Sequence, residues 1–215
     1  MDPRPPDRGS AAPVTGGGRT RLIGLDGRSG AGKTTLAARL ADVLAPVDGD
    51  TDGPDGGPAR VHVFHLEDLY PGWDGLAAGM EQYRRQVLEP LAAGRPARWT
   101  AWDWARDRPG DTHEIEPGGV LIAEGVGAGH AAARPLLDTL VWIEMPAAQR
   151  RDRALARDGD LYRPHWSRWA AEEEAWLEHD DVASAADVVV TGEPDLGAIG
   201  HVLRSRLDPA GRPRA

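Results

Sequence analysis

Residues 21–34 read Arg21-Leu22-Ile23-Gly24-Leu25-Asp26-Gly27-Arg28-Ser29-Gly30-Ala31-Gly32-Lys33-Thr34. The first six form a short, largely apolar run of the kind that makes a buried strand. From Gly27 to Thr34 the chain fits Gly-x-x-x-x-Gly-Lys-Ser/Thr at every fixed position, and Thr34 to Leu44 carries apolar residues at helical spacing. Strand, glycine-rich turn and helix are the setting in which this motif carries chemistry. The glycines let the backbone curl so that N–H groups converge at a helix N-terminus, a cradle for an anion. Lys33 is then placed for the β- and γ-phosphates of a nucleoside triphosphate, the Thr34 hydroxyl for Mg²⁺ and the Thr35 hydroxyl for the α-phosphate. Gly27, Ser29, Gly30, Ala31, Gly32, Lys33, Thr34 and Thr35 are therefore the expected nucleotide-binding residues.

Composition supports this. Of the 25 basic residues Lys33 is the only lysine. Lysine is a compact ammonium on a flexible stem and arginine a wide planar fork, so a lone lysine in an arginine-rich chain marks a position where arginine would not serve. The 34 acidic residues leave a net charge of −9, which argues against a nucleic-acid groove or a membrane-surface role. The absence of cysteine excludes disulfides, thiolate metal sites and cysteine nucleophiles. No apolar run approaches the roughly 20 residues that span a bilayer. Residues 1–18 lack an apolar secretory core and read as a disordered tail, so a cytoplasmic location is expected.

Between that tail and a second one at 208–215, residues 19–207 are expected to form one domain. Val61–Leu66, Val120–Ala123, Leu140–Ile143 and Val188–Val190 are further strand candidates. Gly75–Ala93, Ala147–Arg157, Pro164–Glu178 and Leu196–Leu207 have helical patterning, Trp99–Trp104 is extended, and Pro46–Ala59 is a loop. Strands alternating with helices imply an α/β domain with a parallel sheet covered on both faces. Ligands of such sheets bind beyond the carboxyl ends of the strands. Glu67, Asp68 and Glu124 follow strands at that edge. Glu67 or Asp68 is a candidate base for an acceptor hydroxyl, and Glu124 a candidate ligand of Mg²⁺ or contact for the acceptor.

Arg150, Arg153 and Arg157 fall at i, i+3 and i+7, which places three guanidinium groups on one helix face able to close over a triphosphate. Trp102 and Trp104 lie two apart on an extended segment and are expected to share a face against a flat or sugar-like acceptor. Asp103 and Arg106 are expected partners for its hydroxyls. His62 and His65 read as packing residues, and Trp166, Trp169 and Trp176 as a core stripe of one helix. Tyr162 and His165 are expected near the nucleotide. No Asn-Lys-x-Asp guanine-reading segment is available, since the only lysine belongs to the loop. A motor or transporter ATPase is not expected of 215 residues, which leaves mainly small-molecule kinases.

The phosphate loop, the strand ending in Glu67-Asp68-Leu69-Tyr70, the Glu124-Gly125 pair and the arginine-rich helix together resemble the uridine kinase and nicotinamide riboside kinase group. That group belongs to the P-loop kinases related to phosphoribulokinase and pantothenate kinase. The resemblance covers about residues 20–192, and the loop is its most specific part. It implies the P-loop NTPase fold, with a five-stranded parallel sheet in order 2-3-1-4-5 flanked by helices. It also implies a small lid at about 150–163, an acceptor-side insertion at about 71–113, ATP as donor with Mg²⁺, and a small hydroxyl-bearing acceptor. Members carry Asp-x-Phe-Tyr or Asp-Asp-Phe-Tyr after the second strand, so alignment on Tyr70 puts the base at Glu67, with Asp68 the alternative. The family's Phe-Asp-His-Pro segment is replaced by Pro71-Gly72-Trp73-Asp74-Gly75, and Asp107 stands where a base-reading histidine would, which argues against uridine itself. Tyr70, Trp73, Trp102, Asp103, Trp104, Arg106 and Glu124 are the expected acceptor-side residues. A non-catalytic ATP sensor acting through a partner protein is the main alternative. A nucleoside monophosphate kinase would want more cationic contacts than Trp99–Asp107 offers.

Overall fold

The computed structural model describes residues 19–45 and 60–207; the two expected tails and the Pro46–Ala59 loop lie outside the described residues. In chain order the elements are β1 (Arg21–Asp26), α1 (Lys33–Leu44), β2 (Val61–His65), α2 (Leu76–Tyr83), α3 (Glu89–Ala92), β3 (Ala97–Asp103), β4 (Arg108–Ile115), β5 (Val120–Glu124), β6 (Thr139–Glu144), α4 (Ala147–Tyr162), α5 (Trp166–Leu177), α6 (Val182–Ala185), β7 (Val188–Thr191) and α7 (Leu196–Leu207). Five strands make one parallel sheet in the order β2-β5-β1-β6-β7, and β3 pairs with β4 in a separate antiparallel hairpin. Numbered within the parallel sheet alone, that order is 2-3-1-4-5, as expected.

Side chains alternate along β1 because successive Cβ atoms point to opposite faces. Leu22 joins Phe64, Leu121 and Leu88 on one side, while Ile23 and Leu25 join Leu36, Ile122 and Val141 on the other. The strands are apolar on both faces because helices cover both. Register aligns their ends: Leu25 and His65 both pair with Glu124, so β1, β2 and β5 finish at one edge. That edge is where the chemistry-bearing turns emerge.

The helical stretch after β2 runs through a π turn (Arg84–Leu88) between α2 and α3. Tyr83, Val87, Leu88 and Leu91, in and beside that turn, are all buried in the core. Gly94, at φ 67°, follows the C-cap Ala93 and stops α3. β4 is exposed along almost its whole length, so its sequence carries no apolar alternation to mark it as a strand. β3 anchors the hairpin by setting Trp99 edge-on to Phe64, 5.0 Å between ring centroids. Among the described residues no helix is long and apolar enough to cross a membrane.

Ile122 is fully buried in the strand that carries Glu124. Ile122→Ala is expected to lower unfolding free energy by about 2–5 kcal/mol in a urea titration. A loss below about 1 kcal/mol would contradict the packing of β5 between β1 and β2.

Candidate active site

α1 begins at Lys33 with Gly32 as its N-cap at φ 97°, no side chain caps it, and no acidic residue lies in its first turn. The leading amide hydrogens of the helix are therefore left for an anion, and the helix dipole favours one. Lys33 is buried, and its Nζ donates to Gly27 O at 2.7 Å and Arg28 O at 3.2 Å. Gly30 must be glycine twice over. Its φ is 80°, and a Cβ there would stand 2.0 Å from the carbonyl oxygen of Arg150.

That contact corrects one expectation. The Arg150 side chain is buried behind the loop, where Nε donates to Met145 O at 3.1 Å and Nη1 to Ser29 O at 3.3 Å. It braces the loop from outside, while Arg153 and Arg157, farther along α4, line the cavity. The helix runs on to Tyr162, past its expected end at Arg157, with a break in helical backbone at Gly159.

The carboxylates divide their work by position. Glu124, at the end of β5, is buried and accepts a hydrogen bond from Thr34 Oγ1 at 3.0 Å. His65 Nδ1 donates to the same oxygen, Oε1, at 2.6 Å, so His65 is part of the site and not the packing residue its sequence suggested. Burial would raise the Glu124 carboxyl, but His65 and Lys33 outweigh it and hold the group below its ordinary value. His65 is shifted upward, chiefly by that hydrogen bond. Thr34 and Glu124 thus present two hard oxygen donors side by side. That set fits Mg²⁺, which takes one or two protein oxygens and completes its octahedron with phosphates and water. Among the described residues no cluster of three or more His, Asp or Glu could hold a metal unaided.

Asp26, fully buried, ties the loop to its neighbour. Its carboxylate accepts from the backbone N–H groups of Gly27 at 2.7 Å, Gly127 at 3.0 Å and Gly129 at 2.8 Å. Burial nevertheless pushes its pKa up to about 6.

Beyond the loop lies a cavity of about 1150 Å³. It exceeds the roughly 300–1,000 Å³ of a single-ligand pocket and has room for two substrates. Ser29 to Thr35, Arg153 and Arg157 line it together with Glu67, Tyr70, Trp73, Trp104, Tyr162 and Trp169. Trp73 stacks on His165 at 4.5 Å and on Tyr162 at 5.2 Å, and meets Trp104 at 4.8 Å. Tyr162 and His165 thus join the aromatic wall. Tyr70 is buried in this wall and its hydroxyl donates to Val126 O at 2.7 Å. The structure also separates the two adjacent acids. Glu67 opens to the cavity, where desolvation and the Glu124 charge raise its pKa against the pull of Arg157. Asp68 is not among the cavity-lining residues; desolvation raises it too, opposed by His65 and His113.

Trp102 and Trp104 do not share a face in one site. A bulge between Thr100 and Trp102 shifts the hairpin register, and Trp104 falls in the turn beyond β3. Trp104 enters the main cavity, its Nε1 donating to Glu67 O at 3.0 Å, whereas Trp102 lines a separate groove on the hairpin. Asp103 and Arg106 lie in that groove and close the turn. Asp103 Oδ1 accepts from the backbone N–H groups of Ala105 and Arg106, both at 3.1 Å, and Oδ2 from Arg106 Nη1 at 2.7 Å. The aspartate is consumed by an Asx turn, a use the extended reading did not foresee. Trp169 is buried in the core, as its place in the stripe with Trp166 and Trp176 predicts, and one side of its ring also lines the cavity. Its neighbour Glu173, together with His65 and Asp26, was not singled out as a site residue, because nothing in the local sequence shows what a distant carboxylate or imidazole will meet.

No family model matches the chain. Its curated relatives include proteins named uridine kinase. The one from Halobacterium salinarum is 27% identical over 144 residues, 63% of this chain and 61% of its own length. The one from Macrococcus caseolyticus is 26% identical over 147 residues, 65% of this chain and 69% of its own length. The chain thus spans about three fifths of the first relative's length. A solved structure described as a possible uridine kinase from Bacillus stearothermophilus matches 80% of this chain and 89% of its own, with a TM-score of 0.55 and 23% identity. The fold is that of the P-loop kinases. In sequence the chain resembles proteins named uridine kinase.

Asp26 yields a pH test. Folding raises its pKa from 3.8 to about 6, so the protonated form favours the folded state. Its contribution to stability is full below about pH 4 and is lost as pH rises through about 6, a change of about 3 kcal/mol. Urea titrations of the wild type and Asp26→Asn at about pH 4 and pH 8 should show the wild type losing that much relative to the variant. A pH-independent difference would contradict the buried placement.

Proposed function

We propose that the protein is an ATP- and Mg²⁺-dependent kinase that transfers the γ-phosphoryl group to a hydroxyl of a small, nucleoside-like metabolite. The observation that carries this reading is one cavity lined both by an uncapped helix N-terminus with Lys33 and by a carboxylate, Glu67, set against an aromatic wall. The donor's phosphates lie along the loop amides and Lys33, with Arg153 and Arg157 above them. Thr34 and Glu124 hold the metal, which when bound neutralises phosphate charge. The acceptor lies against Trp73 and Trp104, whose flat indole faces suit a planar ring.

Glu67 takes the proton of the acceptor hydroxyl as that oxygen forms its bond to the γ-phosphorus. The bond from phosphorus to the β,γ-bridging oxygen breaks, and ADP leaves with the electron pair. The upward shift at Glu67 supports the role, because a base works best with a pKa drawn towards the operating pH. Of the two candidate bases, the position of Glu67 on the cavity favours it over Asp68. Arg150 is assigned to bracing the loop. The aromatic wall and the likeness to proteins named uridine kinase support a nucleoside-like acceptor; the missing Phe-Asp-His-Pro segment and Asp107 favour one other than uridine.

The test is a phosphotransfer screen with ATP, Mg²⁺ and a panel of nucleosides, sugars and vitamins, read by mass spectrometry. The expected result is ADP release that depends on one acceptor class and yields its phosphorylated product. Tight ATP binding with no turnover on any acceptor would contradict the kinase reading and favour a sensor. With the acceptor in hand, Glu67→Gln should lower kcat by about 10²- to 10⁴-fold. Asp68→Asn should lower it far less; the reverse ranking would move the base to Asp68.

A further inference from the structure

The outer side of the phosphate loop is held by a carboxylate that plays no part in the chemistry above. Glu173 of α5 is completely buried. Its Oε1 accepts from Ser29 N–H at 2.9 Å and from Trp169 Nε1 at 2.9 Å, and its Oε2 accepts from Arg28 Nε at 3.1 Å. A buried charge is costly unless its hydrogen bonds are supplied, and here they come from the loop itself and from one tryptophan.

That tryptophan faces two ways. Trp169 Nε1 also donates to Ser29 Oγ at 2.9 Å. Its ring lines the cavity, 5.1 Å from Tyr70 and edge-on to Trp73 at 6.3 Å. One side chain therefore touches both the aromatic wall against which the acceptor is proposed to lie and the loop expected to grip the donor's phosphates. Ser29 is bound at both its N–H and its hydroxyl by this pair, so a shift of the indole is transmitted to the loop through short, directional bonds.

We propose that Trp169 and Glu173 are a positioning pair that couples occupation of the acceptor side to the shape of the phosphate loop. When the acceptor fills the cavity it fixes the Trp169 ring. The Nε1 donor and Glu173 then hold Ser29 and Arg28 so that the loop amides converge on the donor. Without the acceptor the indole is less restrained and the loop is less well set, which suppresses transfer to water. The inference rests on the kinase reading of the same cavity and adds to it a route by which the two substrates sense each other.

The experiment compares wild type, Trp169→Phe and Glu173→Gln for ADP release with and without acceptor. Mg²⁺–ATP affinity is measured by calorimetry and folding by thermal melting. Trp169→Phe keeps an aromatic ring and removes the N–H; Glu173→Gln keeps the volume and removes the charge. Both should lower the ratio of acceptor-stimulated to acceptor-independent turnover by about tenfold or more, the scale of a lost hydrogen bond to a charged group. The fall should appear in kcat, with acceptor KM within about threefold of wild type. A wild type that releases no ADP on any acceptor defeats the kinase reading and with it the coupling. A stimulated wild type whose two variants keep the ratio defeats the coupling alone. An equal loss of both turnovers, or a loss confined to ATP affinity, also overturns it, since that is what a merely structural prop would give.

Discussion

Everything at this site follows from amide hydrogens left without partners. The N-terminus of α1 has neither a side-chain cap nor an acidic residue in its first turn, so its amides are compensated by whatever enters the cavity. A loop that keeps such groups in reserve must be held from elsewhere. Asp26 holds its base through three backbone N–H groups, Arg150 braces its back through Ser29 O, and Glu173 secures Ser29 and Arg28 from α5. These supports touch the outside of the loop and leave its inner face to the cavity.

The order of the sheet makes the convergence possible. β1 lies between β5 and β6, and β5 between β1 and β2, so the turns after β1, β2 and β5 open side by side. Glu124, His65 and Thr34 meet within 3.0 Å contacts although they come from the ends of two strands and the first turn of α1. The hairpin and the α4–α5 bend then close the open end with aromatic rings, Trp104 from one and Tyr162 and His165 from the other, all packed on Trp73.

Much of this was legible in the chain, and the rest was not for identifiable reasons. The loop and its flanking strand and helix are local, and a contiguous motif states them. The remaining strands of the parallel sheet were read from continuous apolar runs, and their order came with the resemblance. That Glu67 and Glu124 would face the cavity was legible because strand ends mark the ligand edge. The failures are non-local. Arg150, Arg153 and Arg157 share a helical face by spacing, yet the loop reaches only Arg150 from behind, so one face serves two purposes. Asp103 looked like a substrate contact because its demand for backbone N–H groups in a turn two residues on is invisible until the turn forms. Trp169 is the core residue its spacing predicts, but no sequence pattern shows that the same ring also faces the cavity. Glu173 and His65 acquire their roles from residues 144 and 59 positions away.

The central claim is that the amides around Lys33 receive a polyphosphate. Calorimetry with Mg²⁺ and a non-hydrolysable ATP analogue tests it directly. The account predicts one saturable site on the wild type and its loss in Lys33→Ala, with the variant still melting cooperatively. No binding to the wild type, or equal binding to a folded Lys33→Ala, would contradict it.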